Sequence, residues 1–533
     1  MSERENRGRD DRQDDRRGGR DRRPGGERRN ARGHERNRRA RSERTFSSAA
    51  PAARTRRADP ARLAAFETLR AVSEEGAYGN LVLPKAVRAH RLDRRDAGFA
   101  TELAYGALRW QGTWDAVLSR CVDRPLADLD GAVLDALRLG VHQLLAMRVP
   151  DHAALDQTVG LVRAVVGAGP GSLVNAVLRK VAARDLAAWI AELTQDAADE
   201  TARLGLAHAH PAWQVRALRQ ALVAHGRSGA ELEALLAADN EAPVVNLVAL
   251  PGLGELTEAL DAGAEKGDLV PGSALSSGGD LHRLSSVRAG GVRVQDAGSQ
   301  LVARTLAAAD GGRAGDARGE RWLDLCAGPG GKAALLAALA AQRGAHLTAN
   351  EVAPHRAELV RQALRPVPGH AWSVRTGDGR AAGELLGGRP AEEAGYDRVL
   401  VDAPCTGLGA LRRRPESRWR RTPRDLAELG PLQRELLEAA LDVARSGGTV
   451  AYATCSPHAA ETLAVVQDVL GRREDVELLD ALGPARDAAL PGALEGDRDP
   501  SRPWEGAAGP ATVQLWPHVH GTDAMFLALL RKR

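Results

Sequence analysis

Between Asp59 and about Val181 the apolar residues return every three or four positions. They run Leu63, Phe66, Leu69 and Val72, then Phe99, Leu103, Leu108 and Trp110, then Val133, Leu134, Leu137, Leu139, Leu144 and Leu145, then Val159, Leu161, Val165 and Val166. That spacing places them on one face of each helix, and no stretch alternates as a half-buried strand would. The pattern predicts an all-α domain over residues 59–182. Residues 183–290 are mixed. A helical stretch follows His210-Pro211-Ala212-Trp213, Val244–Leu250 is strand-like, and the Gly/Ser-rich Pro271–Asp280 reads as a loop. A small connecting α/β subdomain is expected there. From Val292 strands and helices alternate. Strands are expected at Trp322–Leu325, His346–Asn350, Trp372–Val374, Arg398–Val401 and Thr449–Ala453, with helices at Ala333–Ala341, His355–Leu364 and Leu432–Arg445. A final pair covers Ala511–Trp516 and Ala524–Leu530. Such alternation implies a mostly parallel sheet wrapped by helices over residues 291–533, a C-terminal α/β Rossmann-like domain.

Charge changes the picture only at the N-terminus. Residues 1–57 hold 20 Arg and 10 Asp or Glu, so a whole-chain charge of +4 leaves −6 for the rest. With almost no large apolar side chains, residues 1–58 cannot offset their ordering entropy, and a disordered tail is expected. It suits a nonspecific RNA tether and a solubilising extension equally well. No apolar run is long enough to cross a membrane, and no apolar segment follows the charged start, so neither a membrane span nor a secretory signal is expected. The 4 Cys are widely spaced. They make neither a disulfide framework nor a zinc pattern, which points to a reducing cytoplasm and no metal.

Two of those cysteines sit at the ends of expected strands. Cys405 follows Val399-Leu400-Val401-Asp402-Ala403-Pro404, and Cys455 follows Val450-Ala451-Tyr452-Ala453-Thr454. The C-terminal edge of an open α/β sheet is where ligands bind. A glycine-rich loop, Asp324-Leu325-Cys326-Ala327-Gly328-Pro329-Gly330-Gly331-Lys332, leads from another strand into a helix. Glycines there allow close backbone approach, and the helix N-terminus adds partial positive charge. A P-loop would need Gly at position 326 and Ser or Thr after Lys332, where Cys326 and Ala333 stand. The dinucleotide GxGxxG is not matched either. A loop for S-adenosylmethionine remains. It predicts an acid at the end of the next strand for the ribose hydroxyls, where Glu351 stands, and a second after the third strand for the adenine, where Asp378 stands.

The segments Asp324–Lys332, Asp402–Gly409 and Thr454-Cys455-Ser456-Pro457 resemble the signatures of the RsmB/Sun (NOL1/NOP2/Sun) family of RNA cytosine-5 methyltransferases. Gln295–Gln300 resembles the stretch before the family's cofactor loop, and Pro517–Asp523 its C-terminal motif. Asp96–Arg109 and Leu173–Lys180 resemble NusB-like RNA-binding domains. The likeness covers roughly residues 60–533 and points to the branch that modifies small-subunit rRNA. In this chain Gly328 replaces the family's commoner Ala, Glu351 its commoner Asp, and Ala524-Met525 a usual glycine–aromatic step.

The resemblance implies a class I methyltransferase fold, S-adenosylmethionine as cofactor and 16S rRNA as substrate. It assigns attack on cytosine C6 to Cys455, elimination and release to Cys405, and contact with the cytosine N3/N4 edge to Asp402, beside the cofactor. The loop Cys326, Ala327, Gly328, Pro329, Gly330, Gly331 and Lys332 would hold the cofactor with Glu351, Asp378 and Asp402, and Lys332 would position the base or a phosphate. The chemistry asks for such a set. C5 of cytosine is a poor nucleophile until a thiolate adds at C6, and Cys is among the few side chains nucleophilic enough to do that. Cys121 and the Cys326 side chain read as packing residues. Arg412-Arg413-Arg414 and Arg418-Trp419-Arg420-Arg421 follow Cys405 at once and suit phosphates and an unstacked base. A cytoplasmic monomer with RNA as its partner is expected. The other readings are a NusB-like RNA-binding or antitermination factor without activity, a tRNA cytosine-5 methyltransferase, and a DNA cytosine methyltransferase with Cys405 as nucleophile.

Overall fold

The computed structural model describes residues 58–276, 278–279, 281–312, 318–504 and 509–533. The Arg-rich tail, whose disorder the sequence predicts, lies outside the described residues.

Helices fill the first part of the chain: Pro60–Glu75, Gly79–Ala89, Arg94–Arg109, Gln111–Cys121, Gly131–Leu145, Asp151–Val165 and Gly171–Ala182. Local sequence sets the ends of the first. The Asp59 side chain accepts the Arg62 N–H at 2.8 Å, Pro60 opens the helix, and Gly76 ends it in the left-handed region at φ 66. The residues picked out by spacing form the core, with Phe66, Leu69, Leu103, Leu137 and Leu161 all buried around Trp114. The helix Leu186–Gln195 joins the same core through Trp189 and Leu193, and the Trp189 indole donates to the Val181 carbonyl at 3.0 Å. The helical bundle therefore runs past residue 182.

Two sheets follow among the described residues. The first contains β1 (Val245–Ala249), β2 (Glu265–Lys266), β3 (Ser273–Ser276) and β4 (Val292–Val294), all antiparallel in the order β2-β3-β1-β4. Two expectations change here. The Gly/Ser-rich Pro271–Asp280 contains a strand, because β3 finds partners on both sides. And β4, beyond the expected division at residue 290, pairs with β1 and not with the large sheet.

The second sheet holds β5 (Arg321–Asp324), β6 (His346–Glu351), β7 (Trp372–Thr376), β8 (Tyr396–Asp402), β9 (Ala444–Thr454), β10 (Val476–Leu479), β11 (Ser501–Pro503), β12 (Ala511–Gln514) and β13 (Phe526–Lys532). Its order is β11-β12-β13-β9-β8-β5-β6-β7, with β10 also on β13. The strands from β7 to β9 are parallel, and β13 closes antiparallel on β9. Residues alternate between two cores: Leu400 and Ala451 face the helices Ala297–Ala308 and Gly331–Gln342, while Val399, Val401 and Tyr452 face the helix Pro423–Val443. That last helix, expected from Leu432, begins at Pro423 behind a Thr422/Asp425 capping box and passes through Pro431. The chain leaves β5 toward β6 and β7, then returns to β8 on the other side. The crevice at the carboxyl ends of β5 and β8 is thus the topological switch point.

Candidate active site

The parallel register of β8 and β9 sets Asp402 opposite Ala453. The chain beyond each strand end is then pinned: the Ala403 N–H donates to Ala453 O at 2.9 Å, and the Gly409 N–H to Cys455 O at 2.9 Å. A Cβ on Gly409 would stand 2.4 Å from Ala524 O and 2.9 Å from Cys455 O, so a larger residue would push the two loops apart. The result is that the Cys405 and Cys455 sulfurs lie 3.5 Å apart. Neither is in a disulfide.

Their surroundings decide which sulfur holds the proton. Cys405 faces Glu461 and Asp402, whose negative charge opposes a second anion, whereas Cys455 has the Lys332 ammonium nearby. The hydrogen bond between the sulfurs, with burial, pushes the Cys405 thiol well up. The same bond holds Cys455 below the ordinary thiol range, against burial and the Asp402 and Asp523 carboxylates. Both shifts favour keeping the proton on Cys405 and negative charge on Cys455.

Lys332, from the start of the helix Gly331–Gln342, reaches across to β8 and meets Asp402 Oδ2 at 2.9 Å. Burial works to lower the ammonium, but Asp402 outweighs it and holds the group above its usual range. The glycine loop beneath is tied down from two strands. Ala327 N–H donates to Asn350 O at 2.8 Å, and the Asn350 amide donates to Leu325 O and Gly377 O at 3.1 and 3.0 Å. Gly330 caps the helix at φ 108, where a Cβ would stand 2.5 Å from that of Ala363. Glu351 is buried at the end of β6. One oxygen accepts the Gly328 N–H at 3.0 Å and the other the Ala353 N–H at 3.0 Å, while Arg356 stands 3.5 Å away and donates to Gly328 O at 2.7 Å. Asp324, at the end of β5, is also buried, and neither of its oxygens has a hydrogen bond of normal geometry. Burial, with Asp402 nearby, pushes its carboxyl up to about 8.

The structure thus gathers Cys405, Cys455, Asp402, Lys332, Glu351 and the loop from Cys326 to Gly331 at one sheet edge. Asp378 lies at the same edge, after β7, but is exposed and paired to the Arg380 guanidinium at 2.6 Å. Asn350 and Arg356, which bond the loop, and the buried Asp324 beside it are not singled out by the sequence reading. The one available signal for Asn350 is its place beside Glu351 at the end of β6.

Most of the basic cluster after Cys405 is engaged within the protein, although Arg413 and Arg414 are exposed. Arg418 is fully buried and donates to Arg109 O, Ala209 O, Asp239 O and the Asn240 side chain. Arg420 donates to Val72 O, Gly76 O and Ala77 O, and Trp419 to Leu108 O. Arg412 donates to Gly521 O, Arg413 pairs with the buried Asp523, and Arg421 pairs with Asp425. The Arg418 and Arg420 guanidinium groups occupy carbonyls left over at helix C-termini, where positive charge is favoured. They clasp the helical bundle to the sheet. Arg414 is exposed, over the Tyr78 ring at 5.6 Å. Among the described residues no helix is long and apolar enough to cross a membrane, and no group of three or more His, Cys, Asp or Glu side chains is placed to hold a metal ion.

Known proteins resemble this chain over both its helical bundle and its large sheet. Residues 316–531 match the model of the 16S rRNA methyltransferase RsmB/F family, and residues 59–183 that of the NusB family. A Mycobacterium tuberculosis (strain ATCC 25618 / H37Rv) protein named for methyltransferase activity is 49% identical over 485 residues, covering 90% of this chain and 98% of that one. The ribosomal RNA small subunit methyltransferase B of Citrobacter koseri is 33% identical over 445 residues, covering 81% of this chain and 96% of its own length. The crystal structure of PH0851 shares the fold, with a TM-score of 0.71 at 23% identity over 89% of this chain and 99% of that one. The chain belongs to the RsmB/F family of rRNA methyltransferases, with a NusB-family helical domain ahead of its methyltransferase sheet.

Proposed function

We propose that this protein is an S-adenosylmethionine-dependent RNA cytosine-5 methyltransferase that modifies small-subunit (16S) rRNA through a covalent bond between Cys455 and the cytosine. The observation that carries this reading is the pair of sulfurs 3.5 Å apart at adjacent strand ends, beside the Lys332–Asp402 ion pair. One thiol alone could pack or be inert; two thiols in different electrostatic surroundings divide attack from release. The residues of the loop fit the cofactor. Asp324 leaves a buried carboxyl without a partner under the loop, Glu351 fixes the Gly328 N–H, and the helix at Gly331 presents its N-terminus. Cys326 to Lys332, Glu351, Asp402 and Asp378 would line the site. When bound, S-adenosylmethionine supplies a sulfonium methyl group.

The remaining steps belong to the chain's own residues. Cys455 Sγ bonds to C6, and the ring's π electrons move through C5 and C4 to N3, which takes up a proton from water that the Asp402 carboxylate then stabilises. C5 is then enamine-like and accepts the methyl group. Water takes the C5 proton as the C5–C6 double bond re-forms, the C6–Sγ bond breaks with its electron pair returning to Cys455, and N3 gives back the proton it took up. Cys405 faces that sulfur and assists the release.

The test uses purified protein, S-adenosylmethionine and 16S rRNA. Bisulfite sequencing should read a protected cytosine after treatment with the unaltered protein. Cys455→Ser is expected to give neither methylation nor adduct, since a hydroxyl is far less nucleophilic toward C6. Cys405→Ala is expected to stall at release and leave a denaturant-resistant protein–RNA band that the double variant lacks. An adduct in Cys455→Ser alone reverses the roles, and two active single variants without any adduct overturn the covalent reading.

A further inference from the structure

Glu461 closes the short 3₁₀ turn Ala459–Glu461 just after Cys455 and is fully buried. No Lys or Arg among the described residues forms an ion pair with it. A carboxylate in such a place costs several kcal/mol unless donors compensate. Here three donors converge. The Thr406 N–H reaches Oε1 at 2.8 Å, the Thr406 hydroxyl donates to Oε2, and the Gln433 amide reaches Oε1 at 3.1 Å. The same Gln433 amide donates to Pro404 O at 2.9 Å. Both chain neighbours of Cys405 are thereby gripped. The Thr406 hydroxyl also stands 3.3 Å from that of Ser456, the residue after Cys455, and the Tyr452 hydroxyl holds the Glu461 carbonyl at 2.8 Å.

We propose that Glu461 is a positioning residue for the methyl-transfer reaction: through Thr406 and Gln433 it fixes the Cys405 thiol against the Cys455 sulfur. This rests on the two-cysteine reading above. The role is more than packing, because the carboxylate adds negative charge facing Cys405. The groups around that thiol are Cys455, just past the end of β9, Tyr452 from β9, Asp402 from β8 and Glu461 from the turn, with Lys332 paired to Asp402. Asp402 opposes an anion on either sulfur, whereas Glu461 weighs on Cys405, so its charge favours keeping the proton there.

Two variants test it. Glu461→Ala removes both the grip and the charge. Its kcat should fall roughly tenfold to a hundredfold, the weight of a charge-assisted hydrogen bond, with KM for RNA unaltered. Glu461→Gln keeps an acceptor for Thr406 N–H and Gln433 and should restore most of the lost kcat. It removes the charge, so iodoacetamide alkylation of Cys405, followed by mass spectrometry across pH, should shift to lower pH. Where Glu461→Ala does not fold, the Glu461→Gln profile decides alone. Unchanged kcat in Glu461→Ala, a loss that falls on KM, or an unmoved alkylation profile overturns the proposal. Cys455→Ala, run alongside, separates the two ideas. If it methylates, the two-cysteine reading fails; if it is inactive while both Glu461 variants match the unaltered protein, only the positioning role fails.

Discussion

Two departures from the family pattern, Gly328 and Glu351, form one matched pair. Gly328 is not among the glycines at positive φ, so its backbone alone would admit alanine. The obstacle is the longer acid: a Cβ at position 328 would stand 2.1 Å from Glu351 Oε2 and 2.9 Å from Arg356 Nη2. Gly328→Ala therefore has to push the carboxylate away and break the Gly328 N–H bond to it, now 3.0 Å, while crowding the Arg356 bond to Gly328 O at 2.7 Å. One charge-assisted hydrogen bond is worth about 1.5–3 kcal/mol, which makes S-adenosylmethionine bind roughly tenfold to a hundredfold more weakly. Glu351→Asp alone withdraws the acceptor by about one C–C bond, near 1.5 Å, and leaves the same N–H short of a partner. Combined, the shorter acid makes room for the methyl group, so the double variant should bind more tightly than either single one. Isothermal titration with S-adenosylmethionine gives all four dissociation constants, and their cycle gives the coupling. Wild-type affinity in Gly328→Ala, or a double variant that merely sums the two losses, would refute the matched pair.

Three further outcomes follow, one of them already set out with the cysteine variants, whose denaturant-resistant band should appear in Cys405→Ala and vanish in the double variant. Asp324 has its carboxyl raised to about 8, so the folded state holds a proton that the unfolded chain gives up near the ordinary Asp value of about 3.9. Its contribution to stability is full below about pH 4 and is lost as pH rises through 8; Asp324→Asn should flatten urea midpoints across that window, and an unchanged slope would exclude this group. Arg418→Ala removes four hydrogen-bond partners from a fully buried guanidinium and should cost about 3–5 kcal/mol of stability in urea, whereas the exposed Arg414→Ala should cost at most about 1. The salt dependence of RNA binding should stay the same in Arg418→Ala; a flatter slope would return that side chain to the phosphates.

The Arg412–Arg421 segment shows where reading the sequence goes astray. A run of Arg around a Trp next to a catalytic strand end is the composition of an RNA surface and equally that of a set of helix C-caps. What separates them is whether carbonyls stand opposite. Here the ends of the helices Pro60–Glu75 and Arg94–Arg109, hundreds of residues away in the chain, supply those carbonyls. The same holds for β3 and β4, whose short sequences carry no sign of the antiparallel partner that β1 provides.

The sequence by itself determined the helix spacing of the first domain, the strand–helix alternation, and the placing of a cysteine after each of two strand ends. Each depends on neighbours a few positions apart: Asp59 and Pro60 start a helix, Gly330 ends the loop, and Cys405 and Cys455 each follow an apolar strand. Tertiary structure alone decided what those residues meet. The parallel register of β8 and β9 brought two thiols from chain positions fifty apart to 3.5 Å, the β5–β6 pairing set Glu351 against Gly328, and the fold buried Glu461 beneath Thr406. The physical reason is range. Propensity and periodicity act over one or two turns of chain, whereas proton placement, carboxylate burial and hydrogen-bond partners depend on atoms that only packing brings within a few ångströms.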